Sequence, residues 1–79
     1  MKSPFSRFNL TKINSVVVRG QNGNAVLLHI VAENELGETF EEESWCDSML
    51  FLKLDSGDPN IERFFLDVMG ANIREMETK

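Results

Sequence analysis

Cysteine and histidine each occur once in this chain, as Cys46 and His29, and that scarcity removes several chemistries at the outset. A single cysteine cannot close an internal disulfide, which suits a reducing compartment and makes the cytoplasm the expected location. One residue of each type is also too few for a zinc centre, which draws on several Cys or His ligands. Long apolar runs are missing as well. The longest, Ala25–Ala32, is far too short to cross a bilayer, and the polar residues from Asn9 to Ser15 interrupt any leader after Lys2 and Arg7.

Basic residues are absent from a large middle section. Lys2, Arg7, Lys12 and Arg19 are the charges before Gln21, whereas Gln21–Asp47 holds Glu33, Glu35, Glu38, Glu41, Glu42, Glu43 and Asp47 with no Lys or Arg; the formal net charge is −5. Phosphate affinity comes from clustered Lys and Arg, so direct nucleic-acid binding is disfavoured and a basic partner protein fits better. At 79 residues the chain is one domain near the lower size limit for a self-sufficient core, where any partner or second copy adds usefully to stability. Six Phe and one Trp nevertheless give that core bulk, and an ordered fold is expected.

The pattern within the chain is that of an α+β protein. Val26, Leu28, Ile30 and Ala32 share one face of an extended segment, and Ala25, Leu27, His29 and Val31 share the other. Both faces are mostly apolar, which predicts a central strand covered at least partly on both sides. Ile13–Arg19 is β-branched and reads as the strand before it, joined through Gly20–Asn24 with its Asn-Gly step. Asn34-Glu35-Leu36-Gly37 is the next turn, and Glu38–Glu43 returns as a third strand with Phe40 inward. Residues 1–12 are expected to form an extended arm with Phe5 and Phe8 tucked onto a single α+β domain of residues 13–79.

Beyond Glu43 the period changes. Ser44 with Asp47 three residues on resembles a capping box, which predicts a helix through Trp45, Cys46, Met49, Leu50 and Leu52 that Gly57 ends; a fourth strand over Met49–Leu54 is the rival. Asp58-Pro59 starts a second helix, with Ile61, Phe64, Phe65 and Val68 on the face that covers the sheet. That helix is expected to run to about Glu75 despite Gly70, whose cost relative to Ala is about 1 kcal/mol. The predicted fold is a three-stranded antiparallel β-meander followed by two helices packed on the sheet, βββαα.

No catalytic set emerges. Cys46 and His29 are the one nucleophile–base pair, and a thiolate in a helix's first turn would be stabilised, yet a buried structural cysteine fits the same apolar face. Asp55–Asn60 lacks the alternating ligand spacing and closing Glu of a calcium loop, and Gly20–Gly23 is too short to cradle phosphate. Neither a cofactor nor a metal is expected. The acidic run is more informative: on a strand, Glu41 and Glu43 share a face and Glu42 takes the other. Those charges guard a sheet edge, and Glu38, Glu41, Glu43 and Asp47, extended by Glu33 and Glu35, could also dock on a basic groove.

The expectation is therefore a small, acidic, non-enzymatic binding module. It would be an inhibitor or antitoxin-like regulator of the kind carried by phages or mobile elements, covering a basic, nucleic-acid-binding site on another protein. The alternative is a homodimerising structural or accessory subunit that associates through Leu66, Met69, Ile73 and Met76 on the second helix. In that alternative the four side chains are exposed in the folded monomer; if they are buried, the acidic strand is the better surface.

Overall fold

The computed structural model describes residues 8–77, which form β1 Leu10–Asn22, β2 Ala25–Asn34, β3 Thr39–Asp47, α1 Ser48–Asp55 and α2 Pro59–Glu77. The strands make one antiparallel sheet in the order β1-β2-β3. The expected βββαα architecture and the central place of Ala25–Ala32 are both found.

Tight turns enforce the meander. Gly23 and Asn24 connect the paired residues Asn22 and Ala25, with Gly23 at φ 61°. A positive φ at the first of two loop residues is the type II′ pattern, whose twist matches that of the strands it joins. The second turn is built around Asn34, which is 1% exposed. Its Oδ1 accepts the backbone N–H groups of Leu36 and Glu38, and its Nδ2 donates to the Glu38 carboxylate, each at 2.9 Å. A buried amide is stable only with such partners, so the turn's conformation is specified by one side chain.

The two edge strands differ. β1 has 13 residues against 10 in β2, and its register slips between Leu10/Lys12, Ile13/Ser15 and Val18/Gly20, leaving Thr11, Asn14 and Arg19 as the extra residues. Bulges of this kind twist a strand and spoil it as a template for further pairing. β3 instead pairs with β2 without interruption from Thr39 to Asp47. β1 also exceeds the expected Ile13–Arg19 at both ends, and Leu10, assigned to the arm by sequence, is fully buried. Phe8 is half-buried; the arm before it, including Phe5, lies outside the described residues.

The strand-to-helix boundary falls later than the capping pattern predicts. Trp45 and Cys46 belong to β3, opposite Leu27 and Val26, and Ser44 pairs with Leu28. Asp47 is the N-cap, its Oδ1 accepting the Met49 N–H at 2.8 Å, and the helix over Met49–Leu54 supersedes the rival fourth strand. α1 ends as expected at Gly57, φ 88°. The N–H of Gly57 donates to Leu54 O and that of Asp58 to Lys53 O, which is the Schellman closure. Asp58 then caps α2, its Oδ1 accepting the N–H groups of Asn60 and Ile61, the two residues that follow Pro59 at the helix start.

The face α2 turns to the sheet is rotated from the predicted one. Phe65, Leu66, Met69 and Gly70 are buried, whereas Phe64 and Val68 are 51% and 42% exposed. Gly70 supplies the reason. A Cβ there would run into the carbonyl oxygen of Phe8, so the segment leading into β1 crosses the helix where a side chain is missing. Arg63 adds a second tie, donating from Nη2 to Leu10 O at 2.7 Å. The resulting core joins Leu10, Val26, Leu28, Ile30 and Ala32 to Leu54, Phe65, Leu66 and Met69, all on one face of the sheet.

Candidate partner-binding face

Strand alternation separates the predicted site residues into distinct places. The register sets Thr39, Glu41, Glu43, Trp45 and Asp47 of β3 beside Glu33, Val31, His29, Leu27 and Ala25 of β2, all on the face away from the core. Glu42 lies on the helix side, as expected, and accepts the Asn72 amide at 2.9 Å. Of the predicted acids, Glu41, Glu43, Asp47 and Glu33 therefore share the outer face. Glu38 is taken into the Asn34 turn, and Glu35 lies in that same turn.

The outer face differs from the expectation of cover on both sides. Among the described residues no helix packs on it: Ala25, Leu27, His29 and Val31 are only half-buried, while Val17 and Trp45 are 46% and 54% exposed. The half-burial of Leu27 comes from its strand neighbours and from Trp45. The indole reaches across β2 toward β1, its Cη2 lying 3.8 Å from the point a Gly20 Cβ would occupy. The face is thus an apolar strip with a carboxylate row along its β3 side.

His29 sits inside that row. Its Nδ1 is 3.3 Å from Glu43 Oε2 and its Nε2 is 3.3 Å from Glu41 Oε1, so the imidazole spaces the two carboxylates and donates to one through whichever nitrogen bears hydrogen. Farther along, Lys12 approaches Glu33 at 3.9 Å, a long and exposed pair of small energetic weight.

The pairing of Cys46 with His29 does not form. Cys46 stands opposite Val26 on the core side, whereas His29 is on the outer face, so the sheet lies between them. Partial burial first, and the Asp47 charge second, push the Cys46 thiol above its ordinary range, which disfavours the nucleophilic thiolate. Among the described residues no group of three or more His, Cys, Asp or Glu is placed to hold a metal ion.

On the helix side, Leu66 and Met69 are core residues at 2% exposure each, Ile73 is half-buried, and Met76 is 76% exposed. The four-residue dimer patch is therefore not a continuous surface. Sequence reasoning missed both Trp45, which it placed inside a helix, and the exposure of Phe64 and Val68. No local signal places Trp45 on the strand, because Glu41–Ser44 are polar on both faces; its pairing with Leu27 does.

Two open clefts flank β3 on the helix side. One of about 520 Å³ lies between Phe40 and the end of α2, with Ile73 and Met76 on its wall. Another of about 320 Å³ runs beside Leu50, Phe64 and Val68. No helix among the described residues is long and apolar enough to cross a membrane. Comparisons with protein-family models, curated proteins and solved structures find no match.

Proposed function

We propose that this protein is a non-enzymatic binding module that covers a basic site on another protein with the outer face of its sheet. The observation that carries this reading is the juxtaposition of an uncovered apolar strip, Val17, Leu27, Val31 and Trp45, with Glu41, Glu43 and Asp47 on the same face. Apolar contact area supplies affinity, while a single-sign row steers a basic partner and rejects acidic ones. An inhibitor or antitoxin-like regulator, of phage or mobile-element origin and acting in the cytoplasm, is the role that best suits a small acidic cover for a nucleic-acid-binding site. The raised Cys46 thiol and its separation from His29 argue against nucleophilic chemistry by that pair.

Capture from the lysate of the source cell, at low and high salt, tests this reading. The wild-type chain is expected to retain one basic protein in a salt-sensitive manner, and Glu41→Lys with Glu43→Lys to lose it while folding normally. Equal retention by the double variant at low salt refutes the acidic-face model.

A second reading is self-association through the helix layer, favoured by the exposure of Phe64 and Val68 beside the 320 Å³ cleft. It predicts a dimer by solution mass that Phe64→Ser with Val68→Ser returns to monomer. A monomeric wild-type chain at high concentration removes it.

A further inference from the structure

The outer face has a focal point at its β3 end. Glu43, Trp45 and Asp47 alternate onto that face, so the Cα atoms of the two acidic residues each lie about 7 Å from that of Trp45 along the strand. Trp45 is 54% exposed although it is the chain's one tryptophan, and its ring extends over the sheet to the side-chain-free position at Gly20. The surface beside it is shallow and open, bordered by Asn22, Asn24 and Asp47.

The two carboxylates are held in different ways. Asp47 Oδ1 is committed to capping α1, which fixes the group and leaves Oδ2 without a protein partner among the described residues. Glu43 is positioned through Oε2 by His29. A supported aromatic surface that shares its strand face with two positioned anionic groups is complementary to a planar cation that stacks and donates several N–H bonds at once.

We propose that this cluster takes an arginine side chain of the basic partner, with the guanidinium stacked on Trp45 and its N–H groups directed to Glu43 and Asp47. This rests on the reading of the outer face as a cover for a basic site and names the chemistry of its central contact. Lysine offers a point charge without the stacking plane or the fork of donors, so the site discriminates between the two cations. Phosphates are repelled by the same carboxylates, and an apolar ligand would desolvate them without compensation.

The chain has one tryptophan and no tyrosine, so its emission reports Trp45 alone. The test titrates the full chain at low ionic strength with two acetylated, amidated pentapeptides, Gly-Arg-Gly-Arg-Gly and its Lys counterpart. The arginine peptide is expected to change Trp45 emission and to bind about two- to fivefold tighter than the lysine peptide. Glu43→Gln is expected to weaken it, and Asp47→Asn likewise, the latter keeping an effective N-cap so that the fold is retained. Trp45→Leu, followed by backbone amide shifts of Glu43 and Asp47, is expected to abolish the preference for arginine. Equal binding of both peptides without an emission change overturns the arginine contact while leaving the basic-partner reading standing. Failure of both peptides to bind, alongside wild-type capture of no basic protein, overturns both.

Discussion

The two faces of β2 are nearly equal in apolar content and opposite in fate. Val26, Leu28, Ile30 and Ala32 are at most 6% exposed beneath the helices, while Ala25, Leu27, His29 and Val31, one residue out of step, remain half-buried on an uncovered surface. Apolar alternation therefore reports that a face is suited to burial, not that the chain itself buries it. Helices of 8 and 19 residues cover one face of the three-stranded sheet, and among the described residues none packs on the other. That asymmetry, more than the net charge, is the basis of the functional proposal.

Removing bulk from each face should have very different costs. Phe65→Ala is expected to cost about 3–5 kcal/mol, and Leu28→Ala about 2–5 kcal/mol, because both leave cavities in a filled core. Their sequence neighbours Phe64 and Leu27 face outward, and alanine at either is expected to cost no more than about 1 kcal/mol. Urea denaturation of the four variants measures the contrast; equal costs within either pair would mean the faces are assigned wrongly.

Gly70→Ala comes next. On helix propensity alone it should stabilise by about 1 kcal/mol, but its methyl group would meet the Phe8 carbonyl, and overpacking of that kind costs about 1–3 kcal/mol. A net loss of thermal stability is expected, and a gain would show that Phe8 does not pack there.

The smallest expected effect concerns Cys46. Burial and Asp47 hold its thiol above the ordinary range, so alkylation by iodoacetamide should rise only at a more alkaline pH than for the unfolded chain. An unshifted profile would place the thiol on the solvent side of the sheet.

Much of the fold was legible because local signals agreed with one another. The Asn22-Gly23 step, the Asn34–Gly37 turn, Gly57 and Asp58-Pro59 each have one strong backbone reading, and all four mark real boundaries. Glu41 and Glu43 were placed on a common face by alternation alone. Where local signals compete, tertiary pairing decides. Ser44 and Asp47 are both good N-caps, and only the pairing of Trp45 and Cys46 with Leu27 and Val26 selects the later one. α2 carries apolar residues around much of its circumference, so two stripes were available; the one that wins contains Gly70, whose role depends on Phe8, 62 positions away in sequence. The three bulges of β1 leave no mark at Thr11, Asn14 or Arg19, since each is an ordinary strand or turn residue.

The most direct test sets the two surfaces of the molecule against each other in one experiment. Partner capture at low salt is compared for the wild type, for Glu41→Lys with Glu43→Lys on the outer sheet face, and for Phe64→Ser with Val68→Ser on the helix layer. Matched melting temperatures serve as the control for folding. The sheet-face variant is expected to lose the partner and the helix-layer variant to keep it. Retention by the former and loss by the latter would contradict it and move the interface to the helices.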